Sequence, residues 1–550
     1  MSISSVWREI ELPATGDWVD FEHESGLALR RPTFYAAAGG GAAAGGSTGP
    51  GDGAAGGAAA AGVAVVRKVR FAAPLAGRWR WTSEPTPTRP DVPPAPGGSG
   101  GAGASSGPGG AAASSGLDVA PGFGEFDVAP ALDDELNPFY RHGFWRMSPG
   151  GRSLVHADGT QALLVADTAW ALPWRATPEQ VREYAADRQS KGFNAVLLMT
   201  VQPDMRAVGP RDRTQDEGFD VGFEDLPDGH LRQLNAEYFQ YLDDLLDILV
   251  EHGIVPVLQP VFQGFGWKGL DVAGTVVPEQ EYAAYCRYLV ARYGARPAIY
   301  LVGGDGSGAE PQTAAGGAAV HVVDCYEQPT GIHYRPHIRA DAHQDAEWLD
   351  FQWCQTGHTG EHVPERVADM WRNHPVKAVA NGEPTYEHTG RTGVAEGWWQ
   401  GHEAWSNLCA GGTMGVVYGA GSLWQWRLHG EEPGHSEFFL APGAGWREAI
   451  GFEGSTYVGM LGKILDGLPT TDMTPDWTRV ISGRALSTAD GGLIVYRENG
   501  GPVMVFDDTV PLNYTIVDPR DGSVVATGRR DTPGSPLPDA GGAPRVYICL

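Results

Sequence analysis

Two short stretches end in an acid where an apolar run stops. "AIYLVGGD" (298–305) closes on Asp305, and "VKAVANGEP" (376–384) carries Glu383 at its end. Glycines flank both acids: Gly303 and Gly304 before Asp305, Gly382 before Glu383. Glycine lets the backbone approach another group closely, so these acids read as parts of a site rather than as ordinary helix caps. Two facing carboxyl groups suit hydrolysis of a glycosidic bond. One protonates the leaving oxygen, and the other attacks the anomeric carbon or activates water. A separation of about 5–5.5 Å goes with retention of configuration and roughly 6.5–9.5 Å with inversion. Sequence alone leaves the two open.

The elements that must position these acids alternate. "QALLVADTAW" (161–170), "NAVLLMTVQ" (194–202), "IVPVLQPVF" (254–262) and "AIYLVGGD" are buried strands. "GIHYRPH" (331–337), "DFQWCQTG" (350–357), "VKAVANGEP" and "GVVYGAGSLWQW" (415–426) continue the series. Helical signals fall between them. Thr177-Pro178-Glu179-Gln180 supplies an N-cap, a proline in the first turn and a capping box. Asn235 caps "AEYFQYLDDLLDILVEHG", and Tyr282, Tyr285, Cys286, Leu289, Val290 and Tyr293 share one helical face. Eight strands over roughly 300 residues predict a (β/α)8 barrel, with a doubly wound open sheet as the alternative. In a barrel, strands four and seven face each other across the C-terminal mouth, where active sites lie.

The ends read as β. Residues 1–84 are expected to form an N-terminal β-sandwich with a Gly/Ala-rich insertion at 36–62, and 85–122 a Gly/Pro/Ser-rich linker. The barrel is placed at 123–468 and a C-terminal β-sandwich at 469–550. With 67 acidic against 40 basic residues, the chain repels nucleic acid and anionic membrane, so neither is expected as a partner. Five cysteines without a C-x-x-C spacing point neither to zinc nor to a disulfide framework. The 18 tryptophans offer flat apolar faces on which sugar rings stack.

Several separated motifs resemble the catalytic domain of the apiosidase-like glycosidases (glycoside hydrolase family 140 and relatives). They are "HADGTQALLVADTAW", "LPWRATPEQVREYAADRQSKGFNAVLLM", "YLVGGD", "NGEPTYE" and "GVVYGAGSLWQW", and they span about 137–474. The flanking β segments are similar to those that often accompany this barrel. The resemblance implies an acid/base at Asp305 on strand four and a nucleophile at Glu383 on strand seven. It also implies that Asp167, Trp170, Trp424 and Trp426 line the sugar. After "GGD" the family pattern usually continues with a basic residue; here Gly306-Ser307-Gly308 follows. Gln202, Gln259, Trp267, His333, His358 and Tyr386 complete the expected substrate site, since they fall at or near predicted strand ends. Tyr386, three residues past Glu383, is placed to bond it.

The expectation is a glycoside hydrolase of a poly- or oligosaccharide, at a pentose or furanoside linkage, working by double displacement without metal or cofactor. A non-catalytic carbohydrate-binding protein on the same barrel is the alternative. "GFGWKG" (264–269) fits G-x-G-x-x-G but no helix follows directly, so no dinucleotide is expected. Strand one lacks an H-x-H, which argues against a metallohydrolase. The N-terminus shows no leader pattern, so a cytoplasmic enzyme is expected, or a secreted one whose leader has been removed. Oligomeric state stays open.

Overall fold

The computed structural model describes residues 4–37, 65–83, 122–203, 205, 221–264, 273–336, 341–357, 364–388, 396–431, 444–506 and 512–550. Eight strands form its central sheet: β1 (Leu164–Thr168), β2 (Ala195–Met199), β3 (Val255–Gln259), β4 (Ile299–Gly306), β5 (Thr330–Tyr334), β6 (Phe351–Gln355), β7 (Ala378–Glu383) and β8 (Gly415–Val417). Nearly every residue in them is buried, as expected of strands covered on both faces. From β1 to β7 each strand pairs in parallel with the next in sequence, and β8 returns to pair with β1 through Leu164 and Gly415. Met414 N donates to Val379 O at 3.3 Å and Glu387 N to Gly419 O at 2.9 Å, bridging the seam between β7 and β8. The sheet therefore closes as a (β/α)8 barrel rather than lying open.

Helices α1 (Pro178–Lys191), α2 (Ala236–Glu251), α3 (Glu279–Tyr293), α4 (Pro311–Val323), α5 (Pro364–Trp371), α6 (Trp398–Cys409) and α7 (Glu453–Leu465) pack outside. The start of α1 is the expected capping box, with the Thr177 hydroxyl accepting from Gln180 N. It ends at Gly192, whose φ of 100° is easy only for glycine. Asn235 Oδ1 accepts from Glu237 N and Tyr238 N at the start of α2.

Most of the expected strands shorten, and at the first and the eighth the chain changes course. Residues 161–162 leave the barrel and join a hairpin with Leu154–His156. Past Val417 the chain soon turns helical over Gly421–Trp424, because Trp424 N bonds Ala420 O at 2.8 Å instead of a neighbouring strand.

Before the barrel lie two facing sheets. One is ordered Ser4–Ser5, Gly122–Ala129, Gly77–Ser83, Trp18–His23, Ala28–Pro32, and the other Glu9–Pro13, Val65–Ala72, Phe34–Ala37. Phe21 and Phe71 stack between them at 3.9 Å. The expected barrel start at 123 is thereby corrected: Gly122–Ala129 pairs with Gly77–Ser83 from Gly122 to Val128 and belongs to the N-terminal sheet.

This layer is fixed to the barrel by buried charge. Arg70 Nη2 lies 2.6 Å and Arg292 Nη2 2.7 Å from Asp243 Oδ2, all three side chains almost fully buried. Burial alone would raise the Asp243 pKa; the two guanidiniums overcome it and hold the carboxyl well below its usual range. Arg31 Nη2 also donates to Val290 O of α3 at 2.9 Å. After the barrel, a six-stranded sheet runs from Thr474–Pro475 to Arg545–Cys549. It packs against a two-stranded one, Val480–Ile481 with Met504–Val505, over Ala485, Val495, Ile516 and Tyr547. All five cysteines are free thiols. Among the described residues no helix is long and apolar enough to cross a membrane.

Candidate active site

β4 does not run smoothly to its end. Its pairing with β5 slips between Leu301 and Gly303 and again between Gly304 and Gly306. Asp305 sits in the second bulge with φ of 59°. Bulges re-aim side chains, and a non-glycine residue in the left-handed region costs about 1–3 kcal/mol, a strain that collects at functional sites. β7 pairs with β6 with one slip, between Cys354 and Gln355, which sets Gln355 opposite Glu383.

The flanking glycines have a spatial reason. A Cβ on Gly304 would stand 1.8 Å from Nε2 of Gln259, and one on Gly382 2.5 Å from Cε3 of Trp353. The Gln259 amide thus lies directly against the backbone that delivers Asp305. It also reaches Met199 Sδ at 3.6 Å.

His333, fully buried on β5, stands between the acids. Its Nε2 lies 3.5 Å from Glu383 Oε2 and its Nδ1 4.0 Å from Asp305 Oδ1. One atom each from Asp305, His333 and Glu383 falls within 4.8 Å of the other two. Those three are the one set among the described residues spaced to hold a cation. Burial raises the pKa of both carboxyls. For Asp305 the nearby Glu383 charge adds to the burial, whereas for Glu383 a hydrogen bond from Gln355 opposes it. The Gln355 hydrogen bond favours the ionised form of Glu383, and the Glu383 charge favours the protonated form of Asp305.

Tyr386 is buried beside them. Burial, then the charges of Glu383 and Asp305, push its phenol well above the usual range, and Thr168 bonds it. Trp170 contacts Phe262 at 5.1 Å and Trp424 at 5.3 Å, and its buried Nε1 has no hydrogen-bond partner among the described residues. Both amide atoms of buried Gln202, just past β2, and Oε1 of Gln259 are likewise without one.

The structure thus brings Asp305, Glu383, His333, Gln259 and Tyr386 into one cluster. Two expected sugar contacts are corrected. Asp167 points out of the barrel: it is fully buried against α1, 2.6 Å from Arg188 Nε and 2.9 Å from the Tyr184 hydroxyl. Trp426 is also fully buried. It stacks on Trp446 at 4.8 Å and donates its Nε1 to Gln180 Oε1 at 3.0 Å. Trp267 and His358 lie outside the described residues. Gln355 was missed, although it ends β6 as Glu383 ends β7.

A model of the family described as "Apiosidase-like, catalytic domain" matches residues 148–472. Among curated proteins none matches. The solved structures it resembles include a protein titled "Glycoside hydrolase", at TM-score 0.62 and 21% identity over 75% of this chain and 98% of that one. A glycoside hydrolase family 5 protein from Bacteroides vulgatus matches at TM-score 0.62 and 21% identity, over 75% and 94%. A putative glycoside hydrolase from the same organism matches at TM-score 0.64 and 14% identity over the whole of both chains. At these identities the structures speak for the shared fold, and the family match speaks for the chemistry. The chain belongs to the apiosidase-like family and is a glycoside hydrolase, its catalytic domain lying within residues 148–472.

Proposed function

We propose that this hydrolase cleaves a pentose or furanoside linkage of a poly- or oligosaccharide with retention of configuration. The observation that carries the mechanism is the closeness of Asp305 and Glu383, whose facing oxygens fall within 4.8 Å. That spacing suits direct attack by a carboxylate and leaves little room for an intervening water. The pentose assignment rests on the family.

Glu383, whose ionised form the Gln355 hydrogen bond favours, attacks the anomeric carbon. Asp305, still protonated, gives its proton to the leaving oxygen as the glycosidic bond breaks. Once Glu383 is esterified its charge is gone, and with it one of the two causes that raise the Asp305 pKa. Asp305 then serves better as a base. It takes a proton from water as that water attacks the anomeric carbon, and Glu383 leaves as a carboxylate. Gln355 steadies the Glu383 charge by hydrogen bonding, and Tyr386 flanks both acids.

The test has two steps. A panel of aryl pentosides, furanosides and pyranosides identifies a cleaved substrate, and proton NMR of the first-formed product reads its anomer. A retained anomer on a pentoside or furanoside is expected. An inverted first product would overturn the double displacement, and cleavage confined to hexopyranosides would overturn the sugar assignment.

A further inference from the structure

One buried acid near the site belongs to neither catalytic role. Glu403, in the middle of α6, is completely buried. Its carboxylate faces the barrel and accepts hydrogen bonds from two strand ends. Thr385 N–H donates to Oε2 at 3.1 Å, and the Thr356 hydroxyl donates to Oε1 at 3.1 Å. Thr356 follows Gln355 at the end of β6, and Thr385 follows Glu383 by two residues at the end of β7. The residue between, Pro384, has no N–H, so Thr385 offers the first backbone donor after Glu383. The Asn381 amide of β7 meets the same Thr356 hydroxyl at 2.9 Å.

Glu403 therefore ties together the two strand ends that carry Gln355 and Glu383, at the place where their pairing slips. Its helix is braced from the opposite side. His402 Nδ1 lies 2.9 Å from the Tyr496 hydroxyl of the C-terminal sheet, Trp405 stacks on the Tyr496 ring at 6.0 Å, and Arg484 donates to the Ser406 hydroxyl at 3.1 Å.

We infer that Glu403 is a positioning residue: it clamps the ends of β6 and β7 so that the Gln355 amide stays on the Glu383 carboxylate, and the C-terminal sheet holds the clamp in place through α6. This rests on Glu383 being the nucleophile. A small deviation at the reacting group costs rate far more than binding. An acceptor at position 403, charged or neutral, can still receive the Thr385 N–H.

The experiment compares Glu403→Ala and Glu403→Gln in the full chain. On the aryl glycoside that the parent cleaves fastest, Glu403→Ala is expected to lose about a hundredfold in kcat with KM within about twofold. Glu403→Gln is expected to recover most of that loss. Independently of any substrate, NMR of protein carrying carboxyl-labelled glutamate follows the titration of Glu383, assigned by its disappearance in Glu383→Gln. With the Gln355 bond loosened, its midpoint should rise in Glu403→Ala. A folded Glu403→Ala protein, judged by near-UV circular dichroism, with parental kcat and an unmoved midpoint would overturn the inference. If the parent cleaves no glycoside, the functional reading fails instead, and the titration alone decides the role of Glu403.

Discussion

Substituting Gly304 by alanine adds a single methyl group where the structure has no room for it. That methyl would stand 1.8 Å from Nε2 and 2.1 Å from Cδ of Gln259. Ordinary contact needs about 3.5–4 Å, so one of the two chains must shift by well over 1 Å. The amide is not free to yield, since it is buried and already touches Met199 Sδ at 3.6 Å. The backbone cannot yield cheaply either, because Asp305 follows directly in a bulge with a left-handed φ. Gly304 itself has no positive φ, so the cost is one of space alone. Overpacking of this kind costs about 1–3 kcal/mol of stability, and a displacement of about 1 Å at a reacting group about a hundredfold in rate. Urea denaturation and kcat on the aryl glycoside measure the two. The double variant Gly304→Ala/Gln259→Ala removes the clash and should regain most of the stability, giving a coupling of about 1 kcal/mol or more. A Gly304→Ala enzyme with parental stability and parental kcat would refute the reasoning.

Asp305→Asn should stabilise the protein above neutral pH by on the order of 1 kcal/mol while abolishing turnover. The folded pKa of Asp305 lies above its unfolded value, so the folded state binds the proton more tightly and stability falls as pH rises through that window. A neutral side chain removes the loss, and melting temperatures compared across pH show it as a difference that is absent below about pH 4 and grows as pH rises through the window. Asp167→Asn should cost about 3 kcal/mol in chemical denaturation, because it takes the charge from the fully buried partner of Arg188 and leaves that guanidinium the less buried Asp187, with KM of the folded fraction unchanged.

The two acids were legible because each ends an apolar strand, and eight such strands imply a closed barrel. What the residues could not announce was parity. Neighbouring side chains on a strand point to opposite faces, so a doubt of one position in β1 sends Asp167 either to the sugar or to Arg188. Thr168 faces Tyr386, and Asp167 therefore faces α1. Trp426 differs for another reason: the resemblance set it on an eighth strand expected to run to residue 426, whereas past Val417 the chain soon turns helical. The N-terminal boundary failed because composition hides topology. A Gly-rich tract looks like a divider between domains, yet Gly122–Ala129 beyond it lies next to Gly77–Ser83 before it. Gln355 was readable in principle, because it ends β6 just as Gln259 ends β3.

The Arg70–Asp243–Arg292 bridge bears on how this protein can be taken apart. Cutting away the N-terminal strands would remove Arg70 and uncover an acid on α2 that has only Arg292 for company. The barrel should therefore not behave as a free-standing catalyst with an accessory attached. The layer and the barrel should melt in a single cooperative step and be inherited as a single unit, so recombination that exchanges one without the other would have to replace the bridge as well.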